Sequence, residues 1–253
     1  MLPILQIGPL AIQMPGLILL ASLWLGLLLV EKNSHLFGIE SNDLYNLSLL
    51  TLIAGIIGAR VTYVLRYPSA FMASPLSIVS LNPGLLDPLG GFAVGLITAL
   101  VYGQRKKLPL FPTLDALVPA FAVLNIGISL SNLSSGNAFG APTEWPWGIS
   151  LWGELRHPTQ IYNAIFAIII LIIFWPSQNY LRKFLPGITF FAFTASVAGT
   201  RLFVDAFRGD SAIDFGGLRI SQLTAWLVLA ISLFVIGWLR AKSHEEYTSS
   251  NRV

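Results

Sequence analysis

The residues best suited to chemistry in this chain are arginines that stand beside apolar segments. In chain order they are Arg60 in GIIGAR, Arg156 in ELRHPTQIYN, and Arg201 and Arg208, which flank Asp205 in TRLFVDAFR. A guanidinium presents a planar fork of donors that matches a phosphate group, and none of these positions is a lysine. We therefore expect a cluster that binds phosphate. The alternative is a set of separate anchors whose side chains reach toward water.

Neutral polar residues accompany the arginines. Asn125, Ser129 and Asn132 recur at i, i+4 and i+7 in NIGISLSNL, so they share one helix face. Gly136 and Gly140 follow, and glycines let a backbone approach a ligand closely. We expect these residues to line the same site. The alternative is hydrogen bonding between packed helices, which is worth about 0.6 kcal/mol per bond in membranes.

The stretch ELRHPTQIYN adds an imidazole, an amide and a phenol. Pro158 suits the first turn of a helix, where its missing N–H costs no hydrogen bond. Gln160 and Tyr162 are then expected to bind a ligand, as is Tyr63 on an earlier segment, although tyrosines also serve as interface anchors. His157 is a candidate base, and its alternative role is that of a hydrogen-bonded loop residue.

Composition excludes several chemistries. The chain contains no cysteine, so it has no thiol nucleophile, disulfide or cysteine-bound metal of its own. Its histidines, His35, His157 and His244, lack the spacing of a zinc site, and we expect neither a metal nor another cofactor. The formal charge of +3 comes without a basic block, so nucleic acid is not an expected partner.

The same composition places these residues in a membrane protein. Of 253 residues, 55% are hydrophobic and 11% charged, whereas soluble domains carry roughly 25% charged residues. A helix needs roughly 20 apolar residues to cross the hydrocarbon core. The candidate segments are 10–30, 44–65, 86–103, 112–133, 159–175, 187–207 and 219–239. We predict an all-α integral membrane protein with one seven-span domain, residues 1–240, and a cytoplasmic tail, residues 241–253.

The basic residues predict how this domain is oriented. With the N-terminus outside, most lysines and arginines, including every lysine, fall in cytoplasmic segments. Cytoplasmic loops of membrane proteins carry such an excess. The N-terminus is therefore predicted outside and the C-terminus in the cytoplasm. The four arginines then gather on the outer side, where an anionic phospholipid head group would be their ligand.

The order of the motifs resembles the prolipoprotein diacylglyceryl transferase family over nearly the whole chain. GIIGARVTYVLRY resembles the family's second-span motif. SNLSSGNAFGAPTEWPWG resembles its Gly-Asn-Phe-Ile-Asn-Gly-Glu signature and the following Gly-Arg-Pro-Thr. RHPTQIYNA is similar to the family's Arg-His-Pro-Ser-Gln-Leu-Tyr-Glu-Ala, and RLFVDAFRGD resembles its Arg-Phe-x-x-Glu-Phe-x-Arg.

The resemblance implies an activity, its substrates and a location. The family moves the diacylglyceryl group of phosphatidylglycerol onto the thiol of a lipobox cysteine, which forms a thioether and releases glycerol 1-phosphate. The implied partners are phosphatidylglycerol, other membrane lipid and a prolipoprotein signal peptide. The implied location is the bacterial plasma (inner) membrane, and we expect a monomer. By position, Asn132, Gly140, Arg201 and Asp205 match residues that the family uses.

Departures from the family pattern motivate a second function. Leu89 stands where the family has a histidine, Ser129 where it has an arginine, and Asn137 where it has a glutamate. Residues 13–15 also replace an Arg-Trp-Tyr element. Because leucine accepts no proton and serine carries no charge, the alternative is a catalytically impaired paralogue that binds phospholipid or lipoprotein. A small transporter is disfavoured, because the charges lie on one side and no repeat is seen.

Overall fold

The computed structural model shows a bundle of long helices. It describes residues 4–7, 10–79, 85–151, 153–177, 184–210, 213–214 and 218–250. The helices are α1 (Met14–Asn33), α2 (Ser41–Arg66), α3 (Pro68–Ala73), α4 (Pro88–Arg105), α5 (Leu110–Ser135), α6 (Thr159–Ile173), α7 (Ile188–Asp205) and α8 (Ile220–Ser250). Short antiparallel hairpins pair β1 (Ile4–Ile7) with β2 (Leu10–Gln13), β3 (Ile149–Leu151) with β4 (Glu154–Arg156), and β5 (Ile213–Asp214) with β6 (Leu218–Arg219).

The helices other than the short α3 overlap the seven apolar segments predicted from the sequence, although residues 10–13 of the first segment form β2 and α8 extends beyond the last segment. Within the described residues, five helices are long and apolar enough to cross a membrane, namely α1, α2, α5, α7 and α8. Helix α6 is apolar but shorter, and α4 is not among the five. Many of their large apolar side chains are exposed, such as those of Trp24 and Phe234. The all-α membrane class is therefore confirmed, whereas the number of spans and the orientation stay predictions. Residues 241–250 of the predicted tail continue α8.

Small residues allow the helices to approach closely. Helix α2 packs against α4, α1 against α5, and α7 against α8. A Cβ added to Gly58 of α2 would lie 2.5 Å from Cβ of Val94 on α4, so only glycine fits there. At the α1–α5 contact, a Cβ added to Gly26 would lie 3.4 Å from Cβ of Ala120, an ordinary contact distance. Close backbone approach at small residues is typical of helix packing in membranes.

Helix α5 lies at the centre of a group of packed helices. It contacts α1, α6 and α7, and it is the most buried of the five long apolar helices. Its Asp115 carboxylate accepts hydrogen bonds from the backbone N–H groups of Gly187 at 2.6 Å and Phe190 at 2.7 Å. This carboxylate satisfies donors at the start of α7 that have no partner within the helix. Asp115 thus fixes α7 against α5 at the end opposite Arg201.

Candidate active site

A cavity of about 120 Å³ lies between α5, α6 and α7, and we call it the polar cavity. Its polar lining residues are Asn125, Ser129, Asn132, Asn163, Thr200, Arg201, Asp205 and Arg208. Asn125, Ser129 and Asn132 therefore face one cavity, as their spacing along α5 predicts. Ile170, in the last turn of α6, and Val197 of α7 are among the apolar lining residues of this cavity.

A buried carboxylate between two guanidinium groups forms the charged rim of the polar cavity. Asp205 is 1% exposed. One of its oxygens, Oδ1, lies 3.5 Å from Nη1 of Arg208, and the other, Oδ2, lies 3.8 Å from Nε of Arg201. Within the described residues, Oδ2 has no hydrogen-bond partner. Because 3.8 Å is too long for a hydrogen bond, Oδ2 of Asp205 is free to accept a hydrogen bond from a further donor.

The guanidinium groups of Arg201 and Arg208 differ in how many of their donors already have a hydrogen-bond partner. Arg208 donates to both oxygens of Asp210, from Nε at 2.9 Å and from Nη2 at 3.1 Å. Burial lowers the pKa of Arg208, but Asp210 and Asp205 outweigh this effect and the net pKa is raised. Among the described residues Arg201 has only the long contact with Asp205, and its side chain is 57% exposed. Arg201 is therefore the rim cation with the most donors available to a ligand.

The loop after α5 is fastened to the end of α7. Gly136 ends α5 with a positive φ of 79°, where glycine is favoured. Ala141 N–H donates to the carbonyl of Phe207 at 2.7 Å, and Gly209 N–H donates to the carbonyl of Phe139 at 2.9 Å. Gly140 forms a β-bridge with Arg208. The sequence-predicted glycines therefore hold the loop beside the charged rim and do not line the polar cavity.

Two buried side chains at the start of α6 hold the same loop from the other side. Oγ1 of Thr159 donates to the carbonyl of Ala138 at 2.6 Å, and Nε2 of Gln160 donates to the carbonyl of Asn137 at 2.8 Å. Ala138 has a φ of +54°, an uncommon conformation that these bonds stabilise. Gln160 is 1% exposed. Its observed contact is with this loop, a role that spacing along the sequence did not indicate.

Arg156, His157 and Tyr162 lie near the polar cavity but are not among its described lining residues. Arg156 donates to Glu154 at 2.5 Å and to the carbonyl of Gly140 at 3.3 Å. Nδ1 of His157 lies 3.3 Å from the Tyr162 hydroxyl, which also accepts a hydrogen bond from Trp147 at 2.9 Å.

His157 and Tyr162 line a second cavity of about 450 Å³, which we call the aromatic groove. Its other lining residues are Trp145, Trp147, Ile165, Phe166, Phe203 and Phe207. The lining residues on α6 and α7 differ from those of the polar cavity, so the two cavities use different faces of this helix pair. The candidate histidine base therefore faces an apolar groove and not the charged rim.

Arg60 and Tyr63 belong to another part of the structure. The Arg60 guanidinium donates to the carbonyls of Ile78 at 2.7 Å and Leu85 at 2.9 Å, and also to that of Ser77. Tyr63 packs against the rings of Tyr67 and Phe71. Arg60 thus organises the connection between α2 and α4, and neither residue lines the polar cavity.

Two lining residues, Asn163 and Thr200, were missed by sequence reasoning. Asn163 is the one strongly polar side chain at the start of the run NAIFAIIILII, and it precedes Ala167 and Ile170 at helical spacing. That periodicity was the available signal, since a polar residue in line with buried positions faces the interior. Within the described residues, no group of three or more His, Cys, Asp or Glu is placed to hold a metal ion.

Comparison with known proteins identifies the family. The sequence model of the prolipoprotein diacylglyceryl transferase family matches residues 3–238. The chain belongs to this family. It is similar to the phosphatidylglycerol–prolipoprotein diacylglyceryl transferase of Synechococcus elongatus, at 25% identity over 92% of this chain and 86% of the relative. The enzyme of the same name from Lactobacillus acidophilus is 28% identical over 94% of this chain and 89% of the relative. The family and the transferase class expected from the motifs are therefore confirmed.

The structure shows where this member of the prolipoprotein diacylglyceryl transferase family departs from the expected pattern. Ser129 lines the polar cavity, and its hydroxyl donates to the Asn125 carbonyl at 2.9 Å. Leu89, in the first turn of α4, is 76% exposed. The Asn137 carbonyl holds Gln160. The substitution at Ser129 thus alters the cavity itself, whereas Leu89 is not among the described residues of either cavity.

Proposed function

We propose that the protein transfers the diacylglyceryl group of phosphatidylglycerol to the lipobox cysteine thiol of a prolipoprotein. It does so as a seven-span protein of the bacterial plasma membrane, with the N-terminus outside and residues 241–253 in the cytoplasm. The observation that carries this proposal is the partly exposed Arg201 beside the buried Asp205, at the rim of a cavity in a family member. A guanidinium at that depth suits a lipid phosphate.

The proposed orientation agrees with the direction of the helices. The ends of α5 and α7 that bear Asn132 and Asp205 lie together with the start of α6. Lys106 follows the end of α4, and α5 begins after a short connection, so these residues lie at the opposite end of α5. Because lysines favour the cytoplasmic side, the polar cavity opens toward the outer side, where the substrate peptide is presented.

The reaction exchanges a C–O bond for a C–S bond. The thiolate sulfur attacks the glycerol carbon that bears the phosphate, and the bonding electron pair leaves on the phosphate oxygen as glycerol 1-phosphate. Negative charge therefore grows on the phosphate as the bond breaks, and donors aimed at it stabilise the transition state. Arg201 supplies such donors, with Arg208 behind it, and Asn132 offers a neutral amide on the facing helix.

The thiol proton requires an acceptor, because the thiolate is the nucleophile. Asp205 is the carboxylate in the polar cavity, and its Oδ2 has no hydrogen-bond partner within the described residues. His157 is the other candidate, and it would serve only a thiol that arrives through the aromatic groove. Since the charged rim is where the phosphate leaves, we favour Asp205 as the acceptor.

The test is transfer by purified protein in vesicles that contain phosphatidylglycerol and a peptide with a lipobox cysteine. Mass spectrometry should show a peptide that has gained a diacylglyceryl group by a thioether. Arg201→Ala should abolish the gain, whereas Arg240→Ala, at the cytoplasmic end of the last predicted span, should leave it unchanged. No transfer by the parent protein, or equal transfer by Arg201→Ala, would contradict the proposal.

The alternative is a paralogue that binds lipid without turnover, and Ser129 in the cavity wall is the observation that favours it. Serine supplies no charge to offset that of the leaving phosphate. Retained binding of phosphatidylglycerol without transfer, unrecovered by Leu89→His combined with Ser129→Arg, would establish this alternative. Complementation of a bacterial strain depleted of its own transferase would decide between the two in cells.

A further inference from the structure

The polar cavity continues below its charged rim. Asn125 lies seven residues before Asn132 on α5, which places it roughly 10 Å deeper at 1.5 Å per residue. Helix α7 ends at Asp205, and Thr200 and Val197 line the cavity one and two turns below that end. The lining thus changes with depth, from guanidinium groups at the rim, through amides and hydroxyls, to Ile170 and Val197.

The amides in this lower part have unused hydrogen-bonding groups. Asn125 and Asn163 come from different helices and are half-buried, and within the described residues neither side-chain amide has a hydrogen-bond partner. The hydroxyl of the neighbouring Ser129 is already occupied by the Asn125 backbone carbonyl. An asparagine amide offers two donors. Since a polar group without a partner is costly at membrane depth, these donors point to an acceptor supplied by a ligand or by water.

A phospholipid carries its acceptors in the same order. The phosphate is outermost, the ester carbonyl groups of the two acyl chains follow, and the hydrocarbon begins below them. With the phosphate on Arg201, the ester oxygens would lie at the depth where the lining becomes neutral. Ester carbonyls accept hydrogen bonds and carry no charge, which matches amide donors and does not require a cation.

We propose that Asn125 and Asn163 donate hydrogen bonds to the ester carbonyl oxygens of the donor lipid, so that the protein selects diacyl over dialkyl phosphatidylglycerol. This inference rests on the proposed function. The selectivity resides in binding, since the bond that breaks joins the glycerol carbon to phosphate oxygen and is present in both lipids. An ether-linked lipid lacks the carbonyl acceptors and would leave both amides unpaired.

The expected discrimination is large enough to measure. A site built to hydrogen-bond a ligand strongly rejects an analogue that lacks the group, because its own buried polar atoms stay unpaired. One lost hydrogen bond corresponds to about a tenfold loss of affinity. We therefore expect the parent protein to bind dialkyl phosphatidylglycerol about 10- to 100-fold more weakly than the diacyl lipid.

The experiment compares the two lipids as competitors of a fluorescent phosphatidylglycerol bound to the purified full chain in detergent. Asn125→Leu and Asn163→Leu should each lower the preference for the diacyl lipid about tenfold, since each removes the donors of one of the two proposed hydrogen bonds. Asn46→Leu, on an exposed position of α2, is the matched control and should keep the full preference. The ratio of the two affinities is internal, so a partly unfolded variant lowers both and leaves it unchanged.

The outcomes separate this inference from the proposed function. Equal binding of both lipids by the parent protein overturns the inference, as does a preference that survives in both leucine variants, which would mean that water occupies the amides. Transfer from each lipid to the lipobox peptide is measured in parallel. Absence of transfer from the diacyl lipid would count against the proposed function alone, because the binding comparison needs no turnover.

Discussion

Gly140 lies where the loop after α5 contacts His157. A methyl group added at Gly140 should therefore displace this loop from its place beside the charged rim. A Cβ added to Gly140 would lie 2.6 Å from Cβ of His157 and 2.9 Å from its carbonyl carbon. Ordinary contact begins at 3.4 Å, and one of these atoms belongs to the backbone. The backbone carbonyl oxygen of His157 is nearer still, so the loop that bears Gly140 and the segment that bears His157 must separate by about 1 Å or more. Overpacking of this kind costs about 1–3 kcal/mol.

The loop cannot move without releasing the contacts beside it. His157 N–H donates to the carbonyl of Ala141 at 3.0 Å, and Gly140 itself pairs with Arg208. A displacement of about 1 Å in a positioning element costs on the order of 100-fold in rate. We expect Gly140→Ala to lower transfer by about that factor, with a destabilisation of about 1–3 kcal/mol measured by thermal unfolding in detergent.

Gly199→Ala is the matched control in α7, because a Cβ there meets nothing within 4 Å. Alanine is favoured over glycine in a helix by about 1 kcal/mol, so this variant should unfold at the same or a higher temperature and keep its activity. Transfer by Gly140→Ala at the parent rate, with an unchanged unfolding temperature, would refute the reasoning. Loss of stability with normal activity in the surviving folded protein would show that the loop does not position the rim.

Three further variants test the assignments around the polar cavity. Asp205→Asn should lower transfer about 100-fold. The remaining rate should rise about tenfold per pH unit at pH values below the pKa of the peptide thiol, about 8.5, because only preformed thiolate then reacts. A rate independent of pH would exclude Asp205 as the acceptor. His157→Gln should stay within about fivefold of the parent rate, since the imidazole faces the aromatic groove and one hydrogen bond contributes about 1 kcal/mol. A larger loss in the transfer assay would restore the histidine as a candidate base. Asp115→Asn should destabilise the protein by about 2 kcal/mol, measured by thermal unfolding, because one of two charge-assisted hydrogen bonds to the start of α7 is lost. The variant should keep its affinity for phosphatidylglycerol. Unchanged stability would contradict the capping role.

The helices and one wall of the polar cavity were predictable from sequence because both depend on periodicity along a single segment. Long apolar runs identified the helices, and the spacing of Asn125, Ser129 and Asn132 identified a shared face. The pairing of Asp205 with Arg201 and Arg208 followed in the same way, from positions on one helix and its continuation. Such inferences need no knowledge of how segments approach one another.

The contacts between segments were not predictable in this way. Arg60 was expected at the phosphate site, yet its guanidinium is engaged by three backbone carbonyls of the connection that follows α2. Gln160 was expected to contact a head group, and its amide instead holds the Asn137 carbonyl. In both cases a side chain satisfies a loop carbonyl, and the return path of a loop is set by tertiary packing.

The arginines in and near the charged rim differ in how far their positive charge is balanced within the protein. This difference explains how the charged rim can both bind and release an anion. Arg208 is held by two oxygens of Asp210, and Arg156 is paired with Glu154, so the positive charge of each is largely balanced within the protein. Arg201 lies farther from its carboxylate and is the more exposed partner. A phosphate diester would therefore meet one effective cation, which is enough to orient it without holding the more highly charged product. With Ser129 in the cavity wall, the lining below the charged rim is neutral, so the hydrogen bonds proposed to select the lipid do not strengthen as charge accumulates on the phosphate.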